Sequence, residues 1–346
     1  MTYPWGPAPA TEAELEELLS TPRPGVGEAL AAVDGDIVIL GAGGKVGPTL
    51  AMMAVNALRE VGSNAKVIGV SRWSDAGARE RMESAGITTH AADLSDPDSY
   101  ADLPDAKAMF YLTGQKFGTT GQEHLTWWSN AAIPTMAANR YRGVPSVVYS
   151  TGNVYPLVPI NQGGSIESDP TGPVGQYAQS CLAREQVFSH AAHQFGTPVT
   201  IFRLNYAVEL RYGVIADIAT KMVAGEEIDV TMPAVNVVWQ TDSNIWTLRS
   251  LELASNPPHI LNATGPETIG TRRIAELLGA ELDIEPTIVG EEADTALLND
   301  SSHAHGLYGY PEVTVRQAIA WAAEWIKGGG RQLGKATKFQ QREGKF

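Results

Sequence analysis

Asp36-Ile-Val-Ile-Leu40 followed by Gly41-Ala42-Gly43-Gly44-Lys45-Val46-Gly47 is the stretch that decides the fold. A short apolar run that stops at glycines is the pattern of a strand buried on both faces, ending in a tight turn. Residues 47–59 then read as a helix. Gly41, Gly44 and Gly47 are spaced G-x-x-G-x-x-G between the two elements. The first glycine permits the turn out of the strand, the second a close approach of backbone to a pyrophosphate, the third close packing of helix on strand. The phosphates of a dinucleotide then rest on the free N–H groups and positive dipole end of the helix, at Lys45 and Val46. A glycine string alone says little. This one has a strand before it, a helix after it and a second strand, 66–70, at the expected distance.

Working outward, further apolar runs at 87–91, 106–112, 145–150 and 198–203 alternate with helical stretches, notably 121–142 and 174–195. Strands alternating with helices imply an α/β fold, a Rossmann-type doubly wound parallel sheet. Residues 1–35 read as a helical extension, with Thr11 capping a helix and Glu14 three residues on. The dinucleotide-binding domain is expected over 36–205. A smaller C-terminal substrate lobe, with returns to the sheet, is expected over 206–327, and a basic tail over 328–346.

With 43% hydrophobic and 18% charged residues the chain has the balance of a soluble globular protein. No apolar run long enough to cross a membrane is present, nor an N-terminal secretory pattern. The single cysteine, Cys181, excludes an internal disulfide. These features together predict a cytoplasmic protein. The net charge of −14 speaks against nucleic acid as a partner, since phosphate contacts need clustered Lys and Arg. The tail carries Arg331, Lys335, Lys338, Arg342 and Lys345 against Glu343 alone. It reads as a solvated tail on an acidic protein, ahead of a strap lying on an acidic surface.

The end of the second strand selects the dinucleotide. An acidic residue there would hold the adenosine ribose; Ser71-Arg72 stands there instead. A serine and a guanidinium suit a 2′-phosphate, so NADP is expected, with NAD the alternative.

The residues from 36 to 327 resemble the extended branch of the short-chain dehydrogenase/reductase family, the NAD-dependent epimerase/dehydratase group. The glycine loop comes first. Asp93-Leu94 stands where the family's Asp meets the adenine amino group. Tyr111-Leu112-Thr113-Gly114 stands beside the nicotinamide ribose. Tyr149-Ser150-Thr151-Gly152-Asn153-Val154-Tyr155 resembles the fifth-strand signature, with Ser150 on the cofactor side. Asn262-Ala-Thr-Gly265 and His305-Gly-Leu-Tyr-Gly-Tyr-Pro311 resemble the late landmarks.

The resemblance implies an active site of Ser or Thr, Tyr, and a Lys four residues after the Tyr. The phenol moves a proton to or from a substrate hydroxyl while a hydride passes between the carbon and the nicotinamide. The Lys holds the ribose and lowers the phenol's pKa. Thr151 takes the first place and Tyr177 the second, also against the ribose; Tyr155 belongs to the strand signature and has no acid–base role. Cys181 occupies the lysine's place. A tyrosine titrates near pH 10, so ionising it at pH 7 costs about 4 kcal/mol. Another cation substitutes, or Tyr177 acts as a neutral donor, or the protein binds cofactor without turnover. The candidate cation is Lys116, just past the fourth strand, where it would support Tyr177 or the substrate.

The 4,6-dehydratase branch carries an Asp-Glu pair after the Thr; Gly152-Asn153 cannot exchange protons, which excludes that elimination. Arg203-Leu204-Asn205-Tyr206-Ala207 is one residue short of the nucleotide-sugar pattern. Arg211, Lys221, Arg249, Arg272 and Arg273 are the main lobe cations for a diphosphate, and Trp127, Trp128, Tyr206, Tyr212, Trp239 and Trp246 the main aromatics. His303-Ala-His305 reads as a solvated turn, and no metal is expected. Cys181 reads as a packing residue.

The expectation is an NAD(P)-dependent oxidoreductase or epimerase acting on a hydroxyl or ketone of a small sugar-like molecule. Lys116, Asn153 and Asn205 would face that substrate. A catalytically weak cofactor-binding regulatory or scaffold protein is the alternative. The resemblance implies a homodimer through 121–142 and 174–195.

Overall fold

A computed structural model describes residues 5–116 and 121–345 of the chain. Its centre is a parallel sheet of seven strands: β1 (Ile37–Leu40), β2 (Val67–Ser71), β3 (Thr88–Ala91), β4 (Ala108–Tyr111), β5 (Ser146–Thr151), β6 (Val199–Leu204) and β7 (His259–Ala263). The order is β3-β2-β1-β4-β5-β6-β7. Strand order reverses between β1 and β4, and the strand ends at such a switch point leave a crevice for ligands. The expected fold is the observed one.

The alternation of side chains along β1 accounts for both faces. Ile37 and Ile39 point to one side, into a core with Val26, Leu30, Leu50, Ala54, Phe110 and Trp246. Val38 and Leu40 point to the other, against Tyr111, Ile133, Ala137, Phe188 and Ala191. The first layer comprises α1 (Glu12–Ser20), α2 (Val26–Ala31) and α3 (Gly47–Glu60), with α4 (Ala76–Ser84) at the edge. Thr11 Oγ1 accepts from Glu14 N at 3.2 Å, the cap read from the sequence. Residues 5–35 are more than an appendage, however, because Leu15, Leu19, Val26 and Leu30 are fully buried.

The second layer holds α5 (Glu123–Trp127), α6 (Ile133–Arg140) and α7 (Gly175–Phe195). The helix expected over 121–142 is interrupted by a π-turn at Trp128–Ala132. Such turns re-aim side chains and recur at functional sites; here Asn130 is the buried side chain.

The lobe packs α8 (Val214–Val223), α10 (Thr271–Leu282) and α12 (Val315–Lys327) around Ile218, Val235, Leu278 and Ile319. Its two interruptions, α9 (Gln240–Arg249) and β7, return to the sheet domain. Two readings of the sequence are corrected here. His303 and His305 lie on α11 (Ser302–Tyr308), and His305 is buried with Nε2 3.1 Å from Thr264 O, not in a solvated turn. The tail is a strap, not a solvated end: Arg331 grips Glu12 at 2.6 and 2.8 Å, and Phe339 is buried in the lobe's core. Apolar burial of Phe339 anchors a segment whose charges alone suggested hydration. Among the described residues, no helix is long and apolar enough to cross a membrane.

Candidate functional site

Two concavities meet at the carboxyl ends of the strands. The first is a trench lined by Gly41, Gly43 and Gly44, by Ser71 and Arg72 at the end of β2, by Asp93 and Leu94 after β3, and by Leu112, Thr113 and Gly114 after β4. Gly41 has φ +91°, a conformation side chains other than glycine's resist. A Cβ on Gly47 would lie 2.5 Å from Ala42 O, so only glycine lets α3 start this close to the loop. A Cβ on Gly43 would lie 2.5 Å from Ser71 Oγ. Gly43 was missed by spacing alone, because it falls between the regular positions. Asp93 Oδ1 accepts from Ser95 N at 3.0 Å and Ser95 Oγ at 2.7 Å, and these bonds hold its carboxyl below the usual range. A carboxylate so placed is a fixed acceptor.

The second concavity is a cavity between the sheet domain and the lobe. Lys45, Val46, Lys116, Ser150, Thr151, Asn153, Tyr177 and Asn205 line it, with Tyr206, Tyr212, Arg184, Gln240 and Thr337. Leu112 and Gly114 line both spaces, so trench and cavity adjoin past the end of β4. Of the residues expected at the site, Gly47 is the structural hinge under the loop, and the others face one space or the other.

Tyr177 lies in the first turns of α7 and Thr151 ends β5. The Tyr177 phenol interacts with the Thr151 hydroxyl and with Cys181 one turn on. Thr151 Oγ1 further accepts from Asn153 N at 3.2 Å and Nδ2 at 3.1 Å. Burial holds the Tyr177 phenol neutral, well above its ordinary pKa; Cys181 adds to this, while Arg184 and the Thr151 bond oppose it. Burial also raises the Cys181 thiol, which is 1% exposed and packs as expected against Val154, Tyr155 and Tyr177.

Positive charge reaches the place of the absent lysine from two sides. Lys116 Nζ stands 5.8 Å from the ring centre of Tyr177 and 5.7 Å from that of Tyr206. Burial pushes its pKa down to about 8. The residues after it, 117–120, lie outside the described part of the chain. The second cation, Arg184, sequence reasoning missed. Positions 177, 181 and 184 share one face of α7, and side chains on a helix lean toward its N-terminus. Arg184 is 5% exposed, donates to Tyr149 O at 2.8 Å and Asn130 Oδ1 at 2.7 Å. A Cβ on Gly114 would lie 2.5 Å from its Nη2, which gives that glycine a steric reason. The signal in the sequence was a basic residue seven places after the tyrosine.

Other expected residues are occupied. Ser150 Oγ donates to Glu185 Oε1 at 2.5 Å, and Glu185 is held by Arg203 at 2.7 and 2.9 Å. Arg203 also donates to the Tyr155 hydroxyl at 2.6 Å, and that hydroxyl donates to Asn262 at 3.0 Å, which places Tyr155 in a buried network instead of the reaction space. Asn205 Nδ2 donates to Asn236 Oδ1 at 2.8 Å. Four of the lobe's arginines are engaged in ion pairs: Arg211 with Glu209, Arg249 with Glu252, Arg272 with Glu292 and Arg273 with Glu276.

The model of the NAD dependent epimerase/dehydratase family matches residues 37–234. No curated protein matches the chain. Among solved structures, UDP-glucuronic acid 4-epimerase of Bacillus cereus in complex with UDP-glucuronic acid and NAD is similar, at 18% identity and a TM-score of 0.70, over 84% of this chain and 99% of that one. UDP-glucose 4-epimerase of Thermotoga maritima with UDP-glucose aligns at 18% identity and 0.70, over 85% and 99%. UDP-glucose 4-epimerase of Thermus thermophilus with NAD aligns at 17% and 0.69, over 85% and 99%. At these identities the likeness is one of fold.

Proposed function

The chain belongs to the NAD dependent epimerase/dehydratase family, and from that premise we propose that it is an NAD(P)-dependent oxidoreductase or epimerase of a sugar-like hydroxyl or ketone. The observation that carries this reading is the interacting pair Tyr177 and Thr151, both lining the cavity next to the glycine-loop trench. The trench fits a dinucleotide: at Gly43 and Gly47 a Cβ would collide with the chain's own atoms, so the loop lies as close to its neighbours as backbone allows. Gly41, Gly44, Val46 and Gly47 would support the pyrophosphate, Asp93 and Leu94 the adenine, and Leu112–Gly114 the nicotinamide half. Ser71 and Arg72 favour NADP over NAD, as a hydroxyl and a guanidinium suit a 2′-phosphate.

Bound there, the nicotinamide would give or take the hydride. Thr151 orients the reacting oxygen of the substrate. Tyr177, neutral in its buried setting, hands its proton to that oxygen as the carbonyl carbon is reduced, and takes it back in the reverse direction. Arg184 stabilises the phenolate left behind. This supports the substitution of one cation for another at the position that Cys181 leaves without charge.

Turnover is the test. The protein is incubated with NADP or NAD and a panel of sugars and sugar acids, with nicotinamide absorbance and product composition both followed. Tyr177→Phe is expected to lower kcat by about 10²–10⁴-fold with cofactor affinity kept. Cys181 favours a second reading, a cofactor-binding protein without turnover. Tight dinucleotide binding with no chemistry on any substrate, and no effect of Tyr177→Phe, would establish that one instead.

A further inference from the structure

The cavity beside Tyr177 carries a charge opposite to that of the protein. The chain has a net charge of −14. Yet Lys45, Lys116 and Arg184 line this cavity, and among the described residues no Asp or Glu does. Lys45 was expected to face the cofactor's phosphates. Its side chain crosses to the lobe, where Nζ stands 3.5 Å from the ring centre of Tyr212. Lys116 Nζ lies farther from its rings, between Tyr177 and Tyr206. An aromatic face attracts an ammonium group that lies over it. Neither lysine lines the trench, where Gly41, Gly43, Gly44, Ser71 and Arg72 supply the surface for cofactor phosphates.

We infer that the substrate is a small acid, whose carboxylate or phosphate lies between Lys45 and Lys116 while its hydroxyl or ketone meets Tyr177 and Thr151. This deepens the proposed reaction and rests on it. Two further observations support it. Burial pushes Lys45 down to about 7, and repulsion from Lys116 and Lys335 adds to this against Asp217, whose carboxylate accepts from Thr337 at 2.6 Å. An anion between like charges relieves that repulsion and restores protons to both lysines. The strap limits size. Thr337 forms part of the cavity wall, Arg342 donates to Thr295 at 2.5 and 2.6 Å, and Gly344 abuts Gly175 at the start of the Tyr177 helix. A compact acid fits beneath such a cover, whereas a polymer requires it to lift.

Cofactor affinity is measured first, by quenching of tryptophan fluorescence with NADPH and NADH. Glucose, glucuronate, glucose 6-phosphate and inorganic phosphate are then titrated into the cofactor-saturated full-length protein by calorimetry. At least one of the three anions is expected to bind about tenfold or more tightly than glucose, with proton uptake that scales with buffer ionisation heat. The carboxylate and phosphate arms tell the two acid types apart. Lys45→Met and Lys116→Met are each expected to weaken that anion by about tenfold and leave cofactor affinity within about twofold. Should no anion bind more tightly than glucose, the inference fails. It also fails if Lys45→Met weakens the dinucleotide as much as the anion, for the lysine then serves the cofactor. A protein that binds neither dinucleotide would sink the proposed reaction separately, and the anion titration is then read on the cofactor-free protein.

Discussion

Arg184 follows Tyr177 by two turns of the same helix, and its guanidinium is pinned between Tyr149 O at 2.8 Å and Asn130 Oδ1 at 2.7 Å. Among the described residues no carboxylate comes within 4.0 Å of it, and its Nε has no hydrogen-bond partner. A buried cation without a counter-ion is costly unless a negative charge forms nearby. The phenolate of Tyr177 is such a charge. Arg184→Met is therefore expected to lower kcat about tenfold or more and to move the basic limb of the kcat–pH profile upward, since each pKa unit is a factor of ten. Arg184→Lys should restore part of the profile. A profile unmoved by Arg184→Met would show that the residue serves only to hold Asn130.

Arg72 lies at the mouth of the trench beside Asp93. Arg72→Ala is expected to weaken NADP binding by about tenfold, the order of one charge-assisted hydrogen bond, and to leave NAD within about twofold. Equal losses for both dinucleotides would place Arg72 outside the discrimination.

Lys45 sets a pH dependence whose sign follows from its folded pKa of about 7 against an unfolded value of 10.5. Between these limits the unfolded chain holds the extra proton, so the contribution of this group to stability rises with pH. Below pH 7 both states are protonated and the cost of the buried charge is fully present. Urea unfolding of the cofactor-free protein at pH 7 and pH 9 is the measurement. The stability of Lys45→Met relative to the unaltered protein should be greater at pH 7 than at pH 9. A constant difference would mean that the ammonium is already well solvated.

Phe339 is 2% exposed, far from where a hydrated tail would leave it. Phe339→Ala is expected to cost about 3–5 kcal/mol in urea unfolding if the strap stays docked and a cavity remains. A much smaller loss, together with new protease cleavage at 331–345, would mean that the strap detaches independently of the lobe.

The strands and the glycine loop were legible because each is local, an apolar run or a glycine spacing, whereas Thr151 and Tyr177 were assigned through the family resemblance. What escaped depends on where long side chains travel. Lys45 belongs to the loop by position, yet its ammonium crosses to Tyr212, a partner 167 places on. Arg184 is set by Gly114 and Asn130, and Asn130 takes its aim from a π-turn that no periodicity marks. The strap misled for a similar reason. Its charges are evenly spread, and the aromatic Phe339 that anchors it finds its pocket only once α8 and α12 are packed.

The contact between Gly344 and Gly175 has a practical side. A side chain at either glycine would push the strap off the start of the helix bearing Tyr177, since a Cβ on Gly344 would lie 2.2 Å from Val174 O and one on Gly175 2.6 Å from Gly344 O. A variant so altered would lose its lid and look inert with every reacting group intact.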